Sequence, residues 1–197
     1  ANIEQEYDFC ENIIKLSIEF GHLIVITTNQ CFIYKVNNWN SPHSFDLKDS
    51  YISLVLQSDR NFLLIGSSSL NLYSYEGRHI IALKWAGLQF DFLNKSTISL
   101  SCDCVAAIDA NNSSELHFID IQNGKPILNN NQNFKHKIEV TCVTLDQVGI
   151  LTNQKCAFID KNFDLYLTLV QPSFFYPLQT VKISSMIKSV IWSDEYS

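Results

Sequence analysis

From residue 13 onward, apolar and polar positions alternate with a period of two in short runs, and helical periodicity is scarce. A period of two puts one side chain in two on each face of an extended strand. Strands are expected at 14–18, 23–28, 31–36 and 44–47, with Phe20-Gly21-His22 and Asn29-Gln30 as turns and 37–42 as a polar linker. A second set follows at 51–56, 62–66, 70–75 and 78–83, with turns at 58–61, 67–69 and Glu76-Gly77. A third set is read at 97–101, 105–108, 115–121 and 125–128, and a fourth at 139–145, 156–159, 165–170 and 179–183. Residues 186–192 begin one more strand. The stretch 85–93 does not fit the series cleanly and reads as a widened outer strand or an insertion, and 129–133 reads as an Asn-rich loop.

The clearest of these runs is Leu116-His117-Phe118-Ile119-Asp120-Ile121, which stops at Asn123-Gly124 and restarts at Lys125-Pro126. Asn-Gly after an alternating run is a strong hairpin signal, because both residues accept positive φ. Tyr34, Tyr73, Ile119 and Leu167 occupy the same slot in successive third strands, spaced by 39, 46 and 48 residues. Four-stranded WD-type blades repeat every 40–45 residues or so. The pattern therefore predicts an all-β fold, a β-propeller of four-stranded antiparallel blades, present as an arc of about four. The expected blades are 13–49, 50–93, 94–134 and 135–185, with 186–197 starting another, all within one propeller domain. A β-sandwich also has short strands at close spacing, but it gives no reason for a period in the forties. A seven-bladed ring needs roughly 300 residues at this repeat length, so these blades are expected to be part of a larger ring.

Composition narrows the function classes. Hydrophobic residues make up 46% and charged residues 17% of the 197, which places the chain among globular proteins. A net charge of −6 argues against nucleic acid and against a polybasic membrane contact. The longest apolar runs, at 23–26 and 62–65, are strand-sized, so no membrane insertion is expected; no secretory signal is visible either. The six cysteines are then read as reduced, packed thiols, and the Asn-x-Ser triplets at Asn94, Asn111 and Asn112 as polar loops.

Catalytic constellations do not emerge. Gly66-Ser67-Ser68-Ser69-Leu70 lacks the second glycine of a nucleophile elbow and reads as a polar turn. There is no glycine-rich phosphate loop. Cys102-Asp103-Cys104 would need two more ligands to hold zinc, and Cys142, Cys156, His117 and His136 are not at ligand spacing, so packed thiols at a β-turn are preferred. No enzyme, metal or cofactor is expected. Gly21-His22 lies between the first two strands, where it is a hairpin turn rather than the Gly-His that precedes a WD blade. Ile119 stands where such a blade carries Trp, which puts the usual side-chain network in question. Protein-interaction candidates are aromatic: Trp39 and Trp85 at strand ends, and Phe174-Phe175-Tyr176 between Pro172 and Pro177 in the connection from third to fourth strand. The alternative for these residues is that they fold back onto the blade.

The fourth set carries a family resemblance. Lys137-Ile138-Glu139-Val140, Leu145-Asp146-Gln147 and the run from Leu151-Thr152-Asn153-Gln154-Lys155 through Asp160-Lys161-Asn162-Phe163-Asp164 to Thr168 resemble the intraflagellar transport protein 80 family. Gly21-His22-Leu23, Asn38-Trp39-Asn40, Phe45-Asp46-Leu47-Lys48, Leu72-Tyr73-Ser74-Tyr75-Glu76-Gly77-Arg78, Asn123-Gly124-Lys125-Pro126 and Val181-Lys182-Ile183 with Met186 and Trp192 agree in the same order. The resemblance is weakest at 1–12, 86–115 and 171–178. It implies much of the second of two propellers in a WD-repeat subunit of the IFT-B complex. The role implied is that of a non-catalytic scaffold for ciliary or flagellar assembly and anterograde transport. It also implies other IFT-B subunits as partners, self-association through regions outside this segment, and a place in the cilium or flagellum, basal body and cytoplasm. A peptide-recognising adaptor propeller, linked to vesicle coats or ubiquitin, is the alternative. It would require a basic pocket at the central opening, and the 14 Lys and Arg do not cluster that way in the sequence.

Overall fold

The computed structural model describes residues 6–112 and 116–126, together with the strand backbones 138–139, 146–147, 154–160, 165–171 and 174–181. Four antiparallel sheets follow one another along the chain. The first contains β1 (Ile13–Glu19), β2 (His22–Thr27), β3 (Gln30–Lys35) and β4 (Asn38–Asp46), neighbours in that order. The second repeats the plan with β5 (Ile52–Gln57), β6 (Asn61–Gly66), β7 (Leu70–Ser74) and β8 (His79–Ala82). The third has β9 (Ile98–Leu100), β10 (Cys104–Ile108) and β11 (Leu116–Asp120), and Pro126 bridges to Ile119 where a fourth strand would lie. The fourth comprises β12 (Ile138–Glu139), β13 (Asp146–Gln147), β14 (Gln154–Asp160), β15 (Leu165–Gln171) and β16 (Phe174–Val181); β12 and β13 both pair with β14.

Turn chemistry sets these registers. Glu19 pairs with His22 across a two-residue turn in which Phe20 and Gly21 both have positive φ, 49° and 69°. That is the geometry whose twist suits a two-residue hairpin. The turn after β11 is longer than the Asn-Gly pair suggests. Asp120 receives the Gly124 N–H at 2.8 Å and gives its own N–H to Lys125 O at 2.9 Å, so four residues form the loop. Gly124, at φ 69°, supplies the left-handed step that closes it. The Asp120 carboxylate accepts the Gln122 N–H and the Asn123 side-chain amide, fixing the loop from within.

The sheets meet face to face. Ile24, Ile26, Cys31 and Ile33 of the first form one apolar cluster with Ile52, Val55, Phe62, Leu64, Tyr73 and Tyr75 of the second. Leu54, Leu63, Ile65, Leu70 and Leu72 on the opposite face of the second sheet cluster with Ile98, Leu100, Val105, Ala107 and Ile119 of the third. Strands β6 and β10 are buried along their whole length because both faces are covered, which explains why Phe62-Leu63-Leu64-Ile65 is a continuous apolar run and not an alternating one. Polar ties cross the first junction as well. Gln57 Nε2 donates to Glu19 O (3.1 Å) and His22 O (3.3 Å), and the His22 ring stacks on Tyr75 at 3.7 Å.

Several expectations are corrected. The first sheet's outer strand starts at Asn38, so most of the polar linker 37–42 is strand; Pro42 is tolerated there because an edge strand has a side without ladder bonds. Residues 85–93 are no widened strand. They contain a single 3-10 turn, Phe90–Phe92, and lay Trp85, Leu88 and Phe90 on the core. Of the expected first strand of the fourth set, 139–145, Glu139 lies in β12, which pairs with β14, and 140–145 lie outside the described residues. Phe174, Phe175 and Tyr176 are not in a connection but inside β16, opposite Gln171, Val170 and Leu169. The expected strands at 125–128, beyond Pro126, and at 186–192 lie outside the described residues, as does the loop 129–133.

Candidate interaction surface

Each of the first three sheets fixes its second hairpin turn with a carboxylate. In the first, Glu11 accepts from Thr27 Oγ1 (2.6 Å), Asn29 N (3.0 Å) and Asn29 Nδ2 (2.7 Å). In the second, Asp49 accepts from Ser67 Oγ (2.9 Å), Ser68 N (3.2 Å) and Ser69 Oγ (3.0 Å). In the third, Asp109 accepts the N–H groups of Asn111 (2.8 Å) and Asn112 (2.7 Å), and His117 Nε2 donates to its other oxygen at 2.8 Å. The acids come from different places in the chain. Glu11 and Asp49 precede the first strand of their sheets, whereas Asp109 follows the second strand of its own. Register makes Gly66 the counterpart of Asp109, and a Cβ at Gly66 would overlap the Asp49 carboxylate. The same place is thus filled from two directions.

Burial raises the carboxyl pKa of both Asp49 and Asp109, but the hydrogen bonds from Ser67, Ser68, Ser69 and Tyr51 at the one, and from His117, Asn112 and Asn111 at the other, outweigh it and hold each below the ordinary value. Glu11 is lowered by Thr27 and Asn29. These clamps do the work expected of a WD-type side-chain network. Sequence reasoning missed them. For Glu11 and Asp49 the available signal was an acid two or three residues before a strand, with a Ser-, Thr- or Asn-rich turn two strands later.

His117 and Asp109 could suggest an acid-base pair. Both side chains are nearly buried, and Trp85 lies over the imidazole at 6.2 Å. One Asp109 oxygen is occupied by two backbone N–H groups, so the pair is a turn clamp. Among the described residues no group of three or more His, Cys, Asp or Glu side chains is gathered for a metal. Cys102 and Asp103 sit in the β9–β10 turn and Cys104 begins β10, so the two cysteines do not share a strand. Burial pushes the Cys102 thiol up to about 12, so it is not a ready thiolate.

The aromatic candidates separate by position. Trp39 is the second residue of β4, half-buried, 6.2 Å from the Tyr34 ring, with its carbonyl accepting from Tyr7 Oη. Trp85 is half-buried against the second core cluster and His117. Phe174, Phe175 and Tyr176 belong to β16, on the far sheet. Trp39 and Trp85 belong to different places: the one lies on the first sheet, the other against the cluster of the second and third. Exposed large apolar side chains among the described residues concentrate elsewhere: Ile13, Leu16, Ile18 and Phe20 are all on or beside β1. Phe20 is also the one non-glycine residue with positive φ among those described, a strained place for an aromatic.

The first strands β1, β5 and β9 line a groove of about 440 Å³. Lys15, Lys95 and Glu19 supply its charge, and Ser17, Ser53, Ser99 and Gln57 its uncharged polar groups. Burial raises the Glu19 carboxyl, with Lys95 pulling the other way. Mixed charge of this kind is not the basic pocket that an adaptor for acidic peptides requires.

Successive four-stranded antiparallel sheets, first strands along a common groove and turns pinned by side chains, define a WD-type β-propeller, seen here as an arc of blades. Solved structures agree at the level of fold. The WD40 domain of SCAP from fission yeast matches 89% of this chain and 43% of its own with a TM-score of 0.57 at 8% identity. Kluyveromyces lactis Hsv2 matches 85% and 50% with a TM-score of 0.53, also at 8% identity. Residues 1–197 match the family model described as the IFT80 second beta-propeller. The chain belongs to the intraflagellar transport protein 80 family, in its second propeller. Intraflagellar transport protein 80 homologs of Rattus norvegicus and Mus musculus are each 40% identical over 187 residues, covering 95% of this chain. The chain spans 24% of the length of these relatives.

Proposed function

We propose that the protein is a non-catalytic scaffold subunit of the IFT-B complex, binding other IFT-B subunits in ciliary or flagellar assembly and anterograde transport. The match of the whole segment to the second propeller of the family carries this reading. The chemistry of the blades supports it: the carboxylates and histidines met above serve turns, and the exposed apolar side chains on β1 suit contact with protein better than turnover of a small molecule. The segment acts as one propeller region with blades at 13–49, 50–93, 94–134 and 135–185 and a further start at 186–197. Trp39 and the Phe174–Tyr176 group are the aromatic anchors for partners, while the packing of Trp85 on the core favours a supporting role. Self-association runs through regions outside the segment, and the protein resides in the cilium or flagellum and at the basal body.

Affinity purification of the tagged full-length protein from ciliated cells, with its partners identified by mass spectrometry, tests this. Stoichiometric recovery of ciliary transport subunits is expected. Recovery of vesicle-coat or ubiquitin-linked proteins in their place would transfer the assignment to the adaptor reading.

A further inference from the structure

The turn between β1 and β2 is held on every side. Each carbonyl of residues 19–22 accepts a bond from a side chain or from the adjoining turn. Glu19 O and His22 O accept from Gln57 Nε2 (3.1 and 3.3 Å), Phe20 O from His22 Nδ1 (2.8 Å), and Gly21 O from Val36 N (2.9 Å). Stacking of the His22 ring on Tyr75 ties the turn to the second sheet as well. The tip itself stands clear: a Cβ added to Gly21 would meet nothing within 4 Å. On this rigid tip sits a residue that costs stability. Phe20, at φ 49°, fills a position that asparagine or glycine takes without strain, and with its ring 51% exposed little burial offsets that strain.

Sheet-on-sheet packing does not cover such a tip. The second sheet is packed on both faces, yet Asp59 and Arg60 of its equivalent β5–β6 turn keep side chains 55% and 56% exposed. The second sheet thus carries solvated charges where the first carries an aromatic. Val36, in the β3–β4 turn bonded to Gly21, is 40% exposed and widens the apolar end of the first sheet. Charge beside it is unbalanced. Glu19 has Lys95 as its charged neighbour, whereas Lys35, exposed next to Val36, has no part in the ion pairs among the described residues. A strained aromatic held ready in one conformation loses little freedom when a partner covers it, which is the property of a binding anchor.

We propose that Phe20 is an anchor through which this propeller binds another protein, a subunit of the transport complex if the scaffold role above holds. The Phe20 ring enters an apolar pocket of that protein, Val36 packs at the pocket's rim, and a carboxylate beside the pocket pairs with Lys35. An apolar pocket is required because all four turn carbonyls are already bonded, which leaves the ring as the turn's main offering. The acid is required because Lys35 would otherwise be brought beside the interface without a counter-charge.

Quantitative affinity purification of the tagged full-length protein from ciliated cells, unsubstituted and as Phe20→Asn, Phe20→Tyr and Lys35→Glu, tests this beside unfolding midpoints. Phe20→Asn is expected to raise the midpoint and yet cut recovery of one subunit at least about tenfold. Phe20→Tyr should keep that recovery, and Lys35→Glu should weaken it for the same subunit. Recovery of every partner unchanged in Phe20→Asn overturns the anchor. Hydroxyl-radical footprinting of the unsubstituted protein gives a second reading that no misfolded variant can decide. Phe20 should be oxidised readily in the isolated full-length protein and be protected in the purified complex. Protection already present in the isolated protein, or none in the complex, also overturns the anchor. If other proteins are recovered in place of transport subunits, the scaffold role fails, and the anchor stands or falls on whether their recovery depends on Phe20.

Discussion

Replacing Gly66 with alanine sets two effects against each other. The φ of Gly66 is not positive, so its backbone accepts any residue. Conformational entropy alone would then make Gly66→Ala stabilising by about 0.4–1 kcal/mol. The new methyl group, however, would occupy the space of the Asp49 carboxylate, overlapping Oδ2 and Cγ. The carboxylate is the common acceptor for Ser67 Oγ, Ser68 N and Ser69 Oγ, and Asp49 is buried. A hydrogen bond to a charged group is worth about 1.5–3 kcal/mol. Because displaced Asp49 and the exposed Ser67 and Ser68 recover some hydration, the net cost is about 2–4 kcal/mol, and destabilisation wins. For a chain of this size that corresponds to a fall in melting temperature of roughly 4–16 °C. Calorimetry or guanidinium unfolding measures it, and a double-mutant cycle isolates the cause. In an Asp49→Ala background the methyl group meets no carboxylate, and Gly66→Ala should become neutral or stabilising. Equal destabilisation in both backgrounds would refute the clamp.

Acid should loosen the same turns. The carboxyl pKa values of Asp49 and Asp109 are depressed in the folded protein, so between the folded and unfolded values the unfolded chain binds more protons. Their stabilisation is complete above the unfolded value of about 3.8 and is lost as pH falls through the lower folded values; Glu19, raised by burial, acts in the opposite sense. Asp49→Asn should therefore lower stability near pH 7 and flatten the dependence of unfolding free energy on pH below 4 or so, read from denaturant titrations at several pH values. Phe20→Asn should stabilise by about 1 kcal/mol, since asparagine tolerates the left-handed turn position that costs other residues 1–2 kcal/mol, and half of the Phe20 ring surface is already in water; an unchanged or lower unfolding midpoint would count against strain at that residue. Trp85→Ala should reduce stability by about 2–4 kcal/mol through lost packing on the core and on His117, with partner recovery unchanged once folded protein is matched. Lost recovery at unchanged stability would instead make Trp85 an anchor.

Legibility in the sequence followed the range of the interactions. Alternation and turn residues located every strand of the first two sheets, because period-two patterning and left-handed turn positions are local properties. The exception was β4, whose Asn38–Pro42 half carries no apolar alternation since it lies at a sheet edge with little to bury. The placement of Phe174-Phe175-Tyr176 failed for a related reason. Two prolines suggested a connection, yet β16 runs through Pro177 as a partner of Thr168, with a register shift beside it. The clamps were not legible, because Asp49 reaches a turn 18–20 residues away and Glu11 reaches one 16–18 away, and only the folded sheets bring these together. The exposure of Leu16 and Ile18 was hidden for the opposite reason: their pattern matches that of Val55 and Ile98, and only the neighbouring sheet distinguishes them.

The reading of this propeller as part of a transport scaffold is tested most directly by following the fluorescently tagged full-length protein in living ciliated cells. The account expects particles that enter the cilium and move along it together with a tagged IFT-B subunit. A protein that stays diffuse in the cell body while such particles move without it would contradict the account.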